Sequence, residues 1–177
     1  TLTNKKWTLG ARPETSVSRE HFKFETEIVR PLADGEFLVK NQYIAFEPAQ
    51  RGWLNDVRSY LPPVAIGEVM RSGAAGEIIA SKHSDYQVGE LVQGSFGWQE
   101  YAISDGTGLF PVTKIPAGIP MSYPLHIFGL TGLTAYFGLL DLGLPKAGET
   151  VLISGAAGAT GSTVGQIAKL LGCRVIG

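Results

Sequence analysis

The stretch 151–165, VLISGAAGATGSTVG, decides how the second half of the chain folds. An apolar run gives way to small residues, and Gly155, Gly158 and Gly161 recur at intervals of three. Two readings compete. One is a phosphate-gripping turn, the other a loose Gly/Ala loop that only lets a helix pack close to a strand.

The flanks discriminate between them. Thr150 to Ser154 reads as a short buried strand. After the loop, Val164, Ile167, Ala168 and Leu171 fall at i, i+3, i+4 and i+7, which predicts one apolar face of a helix. Gly172 is its expected stop, and CRVIG (173–177) starts a second strand. Strand, glycine turn, helix and strand make the first βαβ unit of a doubly wound parallel sheet.

In such a turn the glycines serve a tight bend, close approach of a pyrophosphate, and packing of helix on strand. The helix N-terminus offers free N–H groups and a favourable dipole to the phosphates. Position 156 is Ala, so the match is AxGxxG, or equally GxxGxxG beginning at Gly155. No Lys-Ser/Thr pair follows, which excludes a P-loop. The expected ligand is a dinucleotide, with Gly158, Ala159, Thr160 and Gly161 as the contacting residues.

Working outward, SYPLHIFGL (122–130) and GLTAYFGLLDLG (132–143) predict two helices. Ser122 is a candidate N-cap for the first and Gly143 a stop for the second. Before residue 120 the style is β. EFLVKNQYIAF (36–46), AIGEVM (65–70), GEIIAS (76–81), ELVQGSF (90–96) and WQEYAIS (98–104) predict short strands between turn signals. That spacing fits a barrel or sandwich. NDVRSYLPP (55–63) is an irregular connection, because Pro62-Pro63 forbids helix there.

Composition narrows the function classes. With 15 Lys+Arg against 16 Asp+Glu, the chain has no electrostatic footprint for nucleic acid or an anionic membrane. A single cysteine, Cys173, permits no disulfide within the chain and no thiolate-rich metal site. The apolar region 127–140 is too short for a membrane span and is interrupted by Thr131 and Thr134. The opening TLTNKKWTLG lacks a signal-peptide core, so a soluble cytoplasmic protein is expected. One βαβ unit leaves sheet edges unpaired, so the 177 residues are expected to be part of a longer protein, and inactive alone.

GLTAYFGLLDLGLPKAGETVLISGAAGATGSTVGQIAKLLGCRVIG (132–177) resembles the medium-chain dehydrogenase/reductase superfamily. It is similar to the zinc-independent branch of leukotriene B4 dehydrogenases/prostaglandin reductases, alkenal double-bond reductases and curcumin reductase. KKWTLGARP, RSYLPPVAIGEVMRSG, GWQEYAISDG and KIPAGIP carry the resemblance through the first half, so it covers essentially the whole chain. It implies an α/β protein with a GroES-like β-barrel catalytic domain over 1–121. The start of a Rossmann NADP-binding sheet would follow over 122–177.

The activity so implied is NADPH-dependent hydride transfer to the activated C=C bond of an α,β-unsaturated ketone or aldehyde. Two alternatives stay open: a zinc-independent quinone oxidoreductase, and a non-catalytic nucleotide-binding protein. The resemblance also implies a homodimer at full length. Where zinc-dependent relatives carry Gly-His-Glu, this chain has Gly67-Glu68-Val69, and His21, His83 and His126 are scattered. No metal is expected. His83 in SKHSDYQ reads as surface, Cys173 as packing, and Ser95 lacks the G-x-S-x-G frame of a hydrolase.

Hydride delivered to the β-carbon of an enone leaves an enolate, which needs a hydrogen-bond donor and a proton. By resemblance Tyr60, on the RSYLPP loop, is the candidate catalytic residue. Thr134 in GLTAY matches a position near the nicotinamide, and its hydroxyl is a candidate partner for the carboxamide. Trp98 reads as barrel core with possible reach to substrate. The chain departs from the family in two places. EPAQRGW (47–53) puts Glu47, Ala49 and Gln50 where the family has DPYMRG, and Leu130-Thr131 replaces Met-Pro. The first departure suggests a roomier, more polar substrate pocket.

Overall fold

The computed structural model describes residues 1–108 and 110–177. Charged and aromatic residues alternate in TNKKWTL and FKFETEI, and these segments form strands β1 (Thr3–Leu9) and β2 (Phe22–Ile28). They pair antiparallel with Trp7 opposite Phe24, ring centroids 5.0 Å apart. Across the same pair Lys6 Nζ meets Glu27 at 2.6 Å. These two strands were not expected from the sequence. Their stability lies in cross-strand pairs rather than in a continuous apolar run.

The strands β3 (Phe37–Ile44), β4 (Ala74–Ser81), β5 (Leu91–Gly94), β6 (Tyr101–Ser104) and β7 (Thr113–Lys114) form one sheet in the order β6-β3-β4-β5-β7. Every neighbouring pair is antiparallel. Period-two alternation turns Phe37 and Val39 inward against Ile78, Val92, Phe96 and Val112. The β3–β4 register shifts between Asn41 and Tyr43, opposite Gly76. A Cβ on Gly76 would collide with the Lys40 carbonyl oxygen, so only glycine lets the two backbones approach there.

AIGEVM is not a strand. Gly67 sits at φ +86°, and the Glu68 carboxylate accepts from the Ala65 N–H at 2.8 Å, folding the segment into a turn. It is tied to β1 by Gly67 N–H to the Leu9 carbonyl, 2.7 Å, and by Leu9 N–H to the Glu68 carbonyl, 3.0 Å. His83 also departs from its surface reading. Its ring packs edge-on against Phe37 and Tyr86, with centroids 5.9 and 4.9 Å away.

The chain divides into two compact units, Thr1–Met121 and Ser122–Gly177. In the second, the expected helix over 122–130 is a single 3₁₀ turn, Tyr123–Leu125. Ser122 makes no side-chain cap, and His126 leaves helical geometry. The chain folds back so tightly that a Cβ at Gly129 would strike the Pro124 carbonyl, and one at Gly132 the Ile127 carbonyl. Helix α2 (Leu130–Phe137) therefore starts two residues before the expected 132, and it runs on as a π-helical segment through Gly143. The residue that ends it is Leu144, held in the left-handed region at φ 47°, rather than Gly143.

Strands β8 (Thr150–Leu152) and β9 (Arg174–Ile176) pair in parallel, joined by helix α3 (Ala159–Leu170). This is the βαβ unit expected from the sequence. Ala168, Val164 and Ile167 pack with Leu139, Val151, Cys173 and Val175. Leu171 does not join them, being the helix C-cap and exposed. Gly172 at φ 79° closes the helix in a Schellman motif, with Cys173 N–H on the Ala168 carbonyl and Gly172 N–H on Lys169, both 3.0 Å. Among the described residues no helix is long and apolar enough to cross a membrane.

One ion pair sets an acid response. Arg30 donates to Glu36 at 2.6 and 2.7 Å, and the Ala33 N–H adds a third bond at 2.8 Å. Together they hold the Glu36 carboxyl down at about 2. Because the folded value is depressed, this contribution is complete above the ordinary carboxylate range and fades as pH falls from about 4.5 toward 2. The urea midpoint is expected to drop across that window. A Glu36→Gln variant should show a shallower drop, measured by circular dichroism at each pH.

Candidate nucleotide and substrate sites

The glycine turn is built by three distinct uses of a missing side chain. Gly155 takes φ +65°, making the bend after β8. Gly158 is the N-cap of α3, and its own N–H closes the turn onto the Gly155 carbonyl at 2.8 Å. A Cβ on Gly161 would collide with that carbonyl oxygen and stand 3.0 Å from Ala156 Cα. The phase left open by the sequence is thus GxxGxxG from Gly155, a residue of the turn that was outside the expected contact set. Ala156 is the residue on which Gly161 closes.

The consequence is a row of donors. Ser162 N–H bonds back to the Gly158 carbonyl at 2.8 Å, so the helix ladder begins there. The N–H groups of Ala159, Thr160 and Gly161 meet no acceptor among the described residues, and α3 has no side-chain cap. Such donors, without an acceptor among the described residues at the positive end of a 12-residue helix, suit an anion such as a pyrophosphate. The residues present fit a dinucleotide.

Thr134 lies on α2, which packs against α3. Its Oγ1 donates to the Leu130 carbonyl at 2.7 Å, within its own helix. The hydroxyl proton is therefore engaged, and what the side chain still offers is an oxygen that accepts. It can take an amide N–H but gives none.

In the first unit, Tyr60 stands on the irregular 55–63 loop with 73% of its surface exposed. Helix α1 (Ala49–Trp53), not expected from the sequence, precedes that loop. It carries Trp53, whose indole Nε1–H donates to the Tyr60 hydroxyl oxygen at 3.1 Å. The tyrosine thus keeps its own proton for an outside acceptor.

Gln50 does not supply the polarity expected of it in the pocket. The side chain is buried, and its amide donates to the Ala45 carbonyl at 2.8 Å and to Ser72 Oγ at 3.1 Å. Its polarity is spent inside the fold, tying α1 to the end of β3 and to the segment that leads into β4. Trp98 takes a double position. It packs on Phe22 and Phe46, centroids 5.4 and 5.1 Å away, and lines a cavity of about 600 Å³ whose walls also include Trp7, Phe24 and Ile44. Its Nε1–H is buried and meets no partner among the described residues. Among the described residues no three His, Cys, Asp or Glu side chains are grouped to hold a metal ion.

Comparison with known proteins gives this geometry a family. Residues 5–112 match the family model described as the N-terminal domain of oxidoreductase. The chain is 43% identical over 174 residues to NADPH-dependent curcumin reductase of Escherichia coli (strain K12), covering 98% of this chain and 50% of that protein. It is 39% identical over 177 residues to prostaglandin reductase 1 of Mus musculus, covering 98% and 51%. The crystal structure of CurA in complex with NADPH from Vibrio vulnificus superposes with a TM-score of 0.87 at 42% identity, over 98% of this chain and 51% of that one. The chain spans about half the length of the curated relatives it matches. It belongs to the oxidoreductase family whose N-terminal domain that model describes, within the medium-chain dehydrogenase/reductase superfamily.

Proposed function

We propose that the full-length protein is an NADPH-dependent reductase of the activated C=C bond in α,β-unsaturated ketones or aldehydes. The observation that carries this reading is the row of three free N–H groups at Ala159, Thr160 and Gly161. It occurs in a chain 42% identical to a protein crystallised with NADPH. In this reading residues 1–121 form the GroES-like catalytic domain and 122–177 part of the nucleotide-binding domain. The relatives' printed names, curcumin reductase and prostaglandin reductase, support a small organic substrate. The working form is taken to be a cytoplasmic homodimer.

Bound NADPH supplies a hydride. Ala159, Thr160 and Gly161 would hold the pyrophosphate on backbone N–H groups, with Gly158, the N-cap of α3, placing them, and the Thr134 oxygen would accept from the carboxamide. Hydride addition at the β-carbon would shift the C=C pair into the bond between the α-carbon and the carbonyl carbon and the C=O pair onto oxygen, leaving an enolate. The Tyr60 O–H donates to that growing negative charge. The α-carbon then takes a proton from solvent water, and the saturated carbonyl compound leaves.

The test is NADPH oxidation by the full-length protein with an enone, an alkenal and a quinone in parallel, and with NADH replacing NADPH. Turnover with the first two and a strong NADPH preference are expected. Oxidation by the quinone alone would move the assignment to a quinone oxidoreductase. Tyr60→Phe is expected to lower kcat for the enone by roughly ten- to a hundredfold while leaving NADPH affinity unchanged.

A further inference from the structure

Tyr60 is mostly exposed on a loop, yet the residues behind it form a clamp. Trp53 is 8% exposed, and it donates its indole N–H to the Tyr60 oxygen at 3.1 Å. Its backbone carbonyl accepts the Val64 N–H at 2.9 Å, so one residue grips both the tip and the far end of the 55–63 loop. The Arg71 guanidinium lies over the Trp53 ring, 5.5 Å from its centroid, and donates to the Pro62 carbonyl at 2.8 Å. Loop, indole and guanidinium thus hold one another.

We propose that Trp53 is a positioning residue that fixes the direction of the Tyr60 O–H; this rests on the reading of Tyr60 as the donor to the enolate oxygen. A phenol oxygen that accepts one N–H must turn its own proton elsewhere, and on this exposed loop that leaves it for an outside acceptor. The same donation polarises the phenol and makes its O–H a better donor, most strongly as negative charge grows on the substrate oxygen. The benefit falls in the transition state, so Trp53 acts on kcat rather than on KM. The Arg71 contact holds the indole in register.

The experiment is a double-mutant cycle in the full-length protein, reading kcat and KM for an enone. Trp53→Phe is expected to lower kcat about five- to tenfold with KM changed less than twofold. In the Tyr60→Phe background the same change should cost nothing further, because the oxygen it acts on is gone. Replacing Trp53 by its benzothiophene isostere, which keeps the ring shape and lacks the N–H, should reproduce the Trp53→Phe loss without disturbing folding.

Equal losses in both Tyr60 backgrounds would show a packing role and overturn the inference. So would full activity of the isostere alongside an impaired Tyr60→Phe enzyme. Full activity of Tyr60→Phe itself would overturn the reading of Tyr60, and the inference with it.

Discussion

Replacing Gly161 with valine is expected to raise the NADPH dissociation constant of the full-length protein about a thousandfold. The reason is geometric. A Cβ at 161 would collide with the Gly155 carbonyl oxygen and lie 3.0 Å from Ala156 Cα, and both obstacles are backbone. No side chain can swing aside, so the turn itself must move off the end of α3. The N–H groups of Ala159, Thr160 and Gly161 then no longer converge. Losing two or three charge-assisted bonds at roughly 1.5–3 kcal/mol each supplies the expected factor.

Gly165 provides the control on the same helix. A Cβ there would find Ile153 Cδ1 at 3.5 Å and Val175 Cγ1 at 3.6 Å, which are ordinary contacts. Gly165→Ala should therefore keep NADPH affinity within about twofold. Calorimetric titration of both variants decides the point. Unchanged affinity in Gly161→Val would remove this turn from the nucleotide site.

Phe37→Ala is expected to cost about 3–5 kcal/mol of stability, the largest effect in the first unit. Phe37 is fully buried at the start of β3 and packs among Val39, Ile78, Val92 and Val112. Its ring stacks on Tyr86 with centroids 4.3 Å apart. Tyr86 in turn donates its hydroxyl to the Val112 carbonyl at 2.9 Å, so the neighbours are anchored and cannot collapse into the void. Phe37→Leu keeps most of the buried area and should cost about 1–2 kcal/mol. Urea unfolding of the two variants reads the difference. A small loss for alanine would mean that the sheet core repacks freely.

Legibility in the sequence followed the range of the interactions. The βαβ unit could be read because its determinants are local. Val164, Ile167 and Ala168 mark a helix face, Gly172 closes that helix, and all lie within about 30 residues of β8. The central strands β3 to β6 were equally visible, since each carries its own apolar residues. The pair β1–β2 was not. Lys6 and Trp7 take their meaning from Glu27 and Phe24, about twenty positions away. AIGEVM misled for the opposite reason: its apolar pattern suits a strand, while Gly67 and the Glu68–Ala65 bond fold it into a turn.

The site divides in the same way. Sequence alone determined that a glycine turn lies between a strand and a helix, and that a tyrosine lies on a proline-stiffened loop, because glycine, proline and helical period act within a few residues. Tertiary structure decided the phase of the glycines, since only the fold brings the Gly155 carbonyl against Gly161. It also turned Gln50 inward to Ser72 and set the Trp53 N–H on Tyr60. Those are hydrogen bonds between side chains whose meeting depends on how the backbone between them is folded. That path is a property of the packed unit and of no single segment.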